Sequence, residues 1–231
     1  MTSDAQRAAL KPIDAWWTVV VVDPIAVRLL PTIAARTRIT PLSLTLLSAV
    51  FGVASAVSFA TGTFIPGAVL FEVKFVLDCL DGKLARMRAM TSALGAFIDA
   101  AEDVIITTAI FVALASQVRG GGVLPTLVAS AVLLEAWARQ YRLAIVSEKG
   151  ARSIGTTGRM GRLRASLARR RLAPLPSTVE AEAFALFLLP LTMNRTAIAY
   201  GLYSAAAVFL AYAFLHMVAV VRSVTSASRG D

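Results

Sequence analysis

The chain has 231 residues, 57% of them hydrophobic, and a mean hydropathy of +0.71, which excludes an ordinary soluble domain of this size. Its formal net charge of +9 reads as positive residues on cytoplasmic loops facing anionic lipid. A nucleic-acid footprint is not indicated, since aromatic residues make up only 8% and no nucleic-acid-binding module occurs. The single cysteine, Cys79, excludes an internal disulfide and a CxxC metal site.

Residues 1–22 read as a polar tail ending at the membrane surface. The apolar run Ala15 to Val22 is too short to span, and Asp23-Pro24 follows it where a signal peptide would carry a small-residue cleavage site. Trp16 and Trp17 read as interfacial anchors. Asp23 is placed to N-cap a helix with Pro24 at its first position. That helix, 23–38, carries Ile25, Leu29, Leu30 and Ile33 on one side and Arg28 and Arg36 on another, so it is expected to lie in the membrane interface.

Six apolar segments follow, at about Thr40–Gly62, Phe64–Leu84, Ser92–Val118, Val123–Val146, Val179–Met193 and Thr196–Val221. A basic loop, Ser147 to Ser177, separates the fourth from the fifth. His216, in the last segment, reads as a polar side chain facing a neighbouring helix. If the N-terminus is cytoplasmic, twenty of the 23 Lys and Arg residues lie on the cytoplasmic side. Arg119 and Arg195 lie opposite, and Lys74 lies inside a span. The expectation is one all-α membrane domain over 1–231. It has a tail and amphipathic interfacial helix (1–38), then six transmembrane helices (40–222), in the cell (inner or plasma) membrane with N-terminus and active site cytoplasmic.

One constellation carries the chemistry. Asp78, Asp81, Gly82, Ala85, Arg86, Gly95, Asp99 and Asp103 follow the pattern D-x2-D-G-x2-A-R-x8-G-x3-D-x3-D without a gap. All four aspartates fall in or beside spans, where a carboxylate is costly unless compensated. Asp78 and Asp81 share a helix face, as do Asp99 and Asp103. A short turn near Arg86 to Met90 makes the two helices antiparallel neighbours, so the pairs converge. Four carboxylates in one cavity suit Mg²⁺ or Mn²⁺, with room for two ions bridged by an aspartate. Such a site clamps phosphate oxygens for in-line displacement. A glycine in a helix costs about 1 kcal/mol relative to alanine, so Gly82 and Gly95 beside the acids suggest a large group approaching the backbone. Arg86, one turn further, is within reach of a phosphate.

Taken singly, these residues also fit helix packing or a proton relay, and acids within spans fit a divalent-cation or proton-coupled transporter. The acids cluster on one side of the membrane, however, and Gly82 with Arg86 has no transport rationale.

At these residues the chain resembles the CDP-alcohol phosphotransferase family of membrane enzymes. The resemblance implies transfer of a substituted phosphate from a CDP-linked lipid, commonly CDP-diacylglycerol, to a small alcohol with release of CMP. It implies that Asp78, Asp81 and Asp99 ligate metal. Asp103 would be both a second-metal ligand and the base that takes the acceptor proton. Gly82, Ala85, Arg86, Ser92 and Gly95 would serve the CDP moiety. Thr40-Pro41-Leu42-Ser43-Leu44-Thr45 is similar to the family's T-P-N-x-x-T, with Leu42 in place of asparagine, and adds Pro41, Leu42, Ser43, Leu44 and Thr45 to the donor site. The same segment reads as a helix start with Thr40 as N-cap and Pro41 at N1.

A phosphorylated acceptor such as inositol phosphate or glycerol 3-phosphate calls for basic residues, and Arg142, Arg159 and Arg162 are the candidates. A non-catalytic lipid-binding member is the remaining alternative. A homodimer is implied by the resemblance alone.

Overall fold

The computed structural model describes residues 9–36, 38–118, 122–149 and 165–228. Among them there is no strand, and the only β-type pairing is an isolated bridge between Asp14 and Leu172. The elements are α1 (Asp23–Arg36), α2 (Pro41–Ala60), α3 (Phe64–Met87), α4 (Ala93–Ser116), α5 (Val123–Lys149), α6 (Thr178–Glu182) and α7 (Arg195–Ser228). A wide π-turn, Thr18–Val22, leads into α1. Another, Ala183–Leu188, and a 3₁₀ turn, Pro190–Thr192, continue α6.

Local chemistry sets the helix starts. Thr40 and Ser43 form a reciprocal capping box, with Pro41 fixed in the first turn of α2. The Ser92 hydroxyl accepts the Gly95 N–H at 3.0 Å and so opens α4. Ser177 and Glu180 box the start of α6.

The long helices alternate in direction. At one end the Gln117 side-chain amide donates to Ala60 O, and Arg195 donates to Gln117 O while lying 5.4 Å over the Phe64 ring. At the other end Arg88 donates to the carbonyls of Ile33, Ala34 and Ile39. Phe59, Phe71, Phe111, Leu114, Leu186 and Phe209 fill the core between them. A second cluster packs Ala26 and Leu30 of α1 against Leu44, Leu80 and Leu84, at the end that carries the aspartates.

Gly52 sets the α2–α4 spacing. A Cβ there would lie 2.2 Å from Ile106 Cγ2 and 3.3 Å from Lys74 Cγ. Ile106 is β-branched and stiff in a helix, so α4 itself has to move. Gly52→Ala is expected to cost about 1–3 kcal/mol of stability. A lowered unfolding temperature in detergent is the check.

Three stretches among the described residues are long and apolar enough to cross a membrane by length and composition: Thr18–Ala35, Pro41–Ala60 and Arg195–Thr225. α3 and α4 match these helices in length, at 24 residues each, but are interrupted by Glu72, Lys74, Asp78, Asp81, Asp99, Glu102 and Asp103. The very charges that dilute their hydropathy build the site.

The N-terminal region departs from expectation. Residues 9–22, expected as a polar tail, pack against the helices: Ala9 is buried, and the Trp17 indole donates to Glu72 and packs on Phe187. The Trp16 indole donates to Ala173 O at 2.7 Å. Asp23 is not an N-cap, because its backbone is already helical and the path runs unbroken from Thr18. Its carboxylate instead bonds Lys83 at 3.2 Å and Arg171 at 2.8 Å, joining three distant stretches. Two cations, the buried Lys83 and the half-buried Arg171, outcompete a cap that the preceding turn of helix makes unnecessary. The fifth apolar segment is only partly α-helical, since its middle widens into the π-turn.

Candidate active site

α3 and α4 bring the acids together. Asp78, Asp81 and Asp99 offer oxygens within 4.8 Å of one another, and so do Asp78, Glu102 and Asp103. Asp78 belongs to both groups. Sequence spacing anticipated the four aspartates but not Glu102 or Lys74. Lys74 lies one turn before Asp78 on the same face, and its ammonium is 2.7 Å from Asp103 Oδ1, 3.6 Å from Asp78 and 3.7 Å from Glu102. A charge inside a span, spaced four residues from the first aspartate, was the available signal.

Two of the four aspartates are oriented by threonine hydroxyls. The Thr45 hydroxyl of α2 donates to Asp81 Oδ2, and Thr107 donates to Asp103 Oδ1 at 3.3 Å. Asp78 Oδ1, Asp99 Oδ1 and both Glu102 oxygens are buried without a hydrogen bond among the described residues. Hard oxygen ligands left unsatisfied in this number fit a divalent cation.

Two cavities meet at this cluster. One, of about 360 Å³, is lined by Pro41, Leu42, Thr45, Ala85, Ser92 and Gly95, and is bordered by the exposed Leu94 and Met90. Of the residues expected there, Ser43 is engaged in the α2 capping box, and Leu44 is buried against Leu80 and Leu84. The other, of about 280 Å³, is polar. It is lined by Lys11 and Asp14 from the N-terminal segment, Glu135 and Arg139 from α5, Glu182 from α6, and Asp103. Asp81, Gly82, Arg86 and Asp99 form a wall common to both.

A Cβ on Gly82 would meet nothing within 4 Å except the Arg86 guanidinium, so this wall is open to a ligand. Arg86 itself is anchored by donating from Nε to Ala9 O at 2.8 Å.

Arg142 does not line either cavity. Its Nη1 lies 3.3 Å from His216 Nδ1, and the other ring nitrogen of His216 faces Glu135 at 3.4 Å. Arg159 and Arg162 lie outside the described residues. Arg139, paired to Glu135 at 3.6 Å, is the α5 arginine that reaches the polar cavity.

No curated protein matches the chain significantly. Solved structures of the phosphatidylinositol phosphate synthase of Mycobacterium tuberculosis resemble it. The apo form is 23% identical, with 85% of this chain and 94% of the other covered and a TM-score of 0.50, which shows a shared fold. The same synthase with CDP-DAG bound is 22% identical over 87% and 93%, with a TM-score of 0.49. Its complex with manganese and citrate is 22% identical over 85% and 87%, with a TM-score of 0.48. The family profile for CDP-alcohol phosphatidyltransferase matches residues 38–224. These residues hold α2 to α5, most of α7 and every motif aspartate, so the chain belongs to the CDP-alcohol phosphatidyltransferase family of phosphotransferase enzymes.

Proposed function

We propose that the protein transfers a phosphatidyl group from a CDP-linked lipid such as CDP-diacylglycerol to a small phosphorylated polyol, inositol phosphate or glycerol 3-phosphate, releasing CMP. The observation that carries this reading is the shared wall. Donor and acceptor need separate cavities that touch only where phosphorus is attacked, and the two cavities share Asp81, Gly82, Arg86 and Asp99. The cavity with the apolar rim suits a lipid donor. The polar one offers Lys11 and Arg139 to an acceptor phosphate.

Asp78, Asp81 and Asp99 would hold one divalent ion, and Asp78 with Asp103 and Glu102 a second, Mg²⁺ or Mn²⁺ in either place. Charge supports two: the five carboxylates against the single Lys74 ammonium leave four negative charges. Bound there, the ions would neutralise the pyrophosphate and stabilise charge on the leaving CMP. Arg86 is fixed by Ala9 so that its guanidinium stands at the shared wall, where it pairs with a donor phosphate. Asp103 has Oδ1 engaged by Lys74 and Thr107, which leaves Oδ2 to take the acceptor proton.

In the membrane we infer six spans, with α1 at the cytoplasmic interface of the plasma membrane. α1 meets α3 at its charged end, where Lys83 pairs with Asp23 and Arg88 donates to Ala34 O. Packing at the charged end suits a surface helix better than a seventh span. A homodimer would be consistent with the family.

The test is CMP release by purified protein in detergent from CDP-diacylglycerol with Mg²⁺ or Mn²⁺, against inositol phosphate, glycerol 3-phosphate, serine and free inositol. Release with one phosphorylated acceptor, abolished by chelation, is expected. Release with serine or free inositol instead would overturn the acceptor class.

A further inference from the structure

The two carboxylate groups differ in one respect that their ligand types do not reveal. Among the described residues Asp81 and Asp99 make no ion pair with a cation of the protein, Asp78 lies 3.6 Å from Lys74, and Asp99 Oδ1 is buried without a hydrogen bond. Asp78, Glu102 and Asp103 are already bridged by Lys74, whose side chain is 1% exposed and whose ammonium is 2.7 Å from Asp103. The lysine cannot withdraw to solvent, because its stem is packed beside Gly52 in the α2–α4 seam. Asp78 at 3.6 Å and Glu102 at 3.7 Å hold it within the same carboxylate group.

We propose that Lys74 is a positioning residue that makes the two cation positions unequal. The Asp78/Asp81/Asp99 position is open. The Asp78/Glu102/Asp103 position admits a divalent ion only when the ammonium gives up its 2.7 Å bond to Asp103. An ammonium held among the ligands of that position repels an incoming divalent ion, so the second ion is weakened by Lys74 itself. The consequence is order: one ion resides in the free protein, and the position next to the base fills last. This inference rests on the reading of these carboxylates as cation ligands.

The experiment is an electron paramagnetic resonance titration with Mn²⁺ alone, on full-length protein in detergent, counting bound ions from the free Mn²⁺ signal. Wild type is expected to bind two ions in classes separated by at least about tenfold in affinity, as a buried charge in the second site requires. Lys74→Met is expected to bring both ions into one class, and Lys74→Arg to keep them apart. Equal affinities in wild type would overturn the proposal without any variant, which covers the case in which Lys74→Met fails to fold. A separation that survives in folded Lys74→Met would overturn it too. No Mn²⁺ binding by wild type would overturn both this inference and the metal-dependent reading, whereas two equal ions would overturn only the role of Lys74.

Discussion

Asp78→Asn is expected to remove Mn²⁺ from both positions and to lower CMP release by at least about a hundredfold, the scale of losing one preorganised electrostatic contact to a transferring group. Asp78 is the one residue that belongs to both carboxylate groups. An asparagine keeps its shape but loses one charge from each group at once. Asp81→Asn is the control, because Asp81 belongs to one group only. It should cost one ion and leave the Asp78/Glu102/Asp103 position intact. The pair of variants therefore separates a bridging role from a merely additive one. Retention of two Mn²⁺ ions by Asp78→Asn would exclude the bridge. The fold is expected to survive, since Lys74 keeps its shortest bond, to Asp103, and Asp78 supplies no hydrogen bond that the helices depend on.

The site was legible where chemistry is written in helical spacing. Three- and four-residue intervals put Asp78 with Asp81 and Asp99 with Asp103, and the short turn between α3 and α4 made them neighbours. The first four apolar segments end within about three residues of their helices, as apolar period and caps allow. Lys74, Glu102, Glu135 and Glu182 were not legible as site residues, because a charge in a span says that it has a partner without saying which. Lys83 counted only as a topology charge, yet it is 2% exposed and bound to Asp23. Long-range pairs of this kind depend on how the N-terminal stretch returns across α3, and no local periodicity encodes that. The π-turn after α6 has no composition signal either. Arg142 looked suitable by charge and position, but its guanidinium turns to His216, while Arg139, one turn earlier, reaches the cavity.

Asp103→Asn separates chemistry from binding. Both hydrogen bonds to Asp103, from Lys74 at 2.7 Å and from Thr107 at 3.3 Å, end on Oδ1. An asparagine that keeps its oxygen there preserves them and presents, in place of Oδ2, an amide nitrogen whose lone pair is delocalised and takes no proton. The variant is expected to fold and to bind Mn²⁺ at the Asp78/Asp81/Asp99 position. Its kcat is expected to fall by about 10²–10⁴-fold, the range for a lost general base. The KM for the CDP-linked donor should change little, because Asp103 lines the polar cavity and not the donor cavity. That split is the informative part. A raised donor KM with unchanged kcat would reassign Asp103 to donor binding, and wild-type turnover would remove it as the base. A fall confined to kcat leaves Oδ2 as the atom that accepts the acceptor proton.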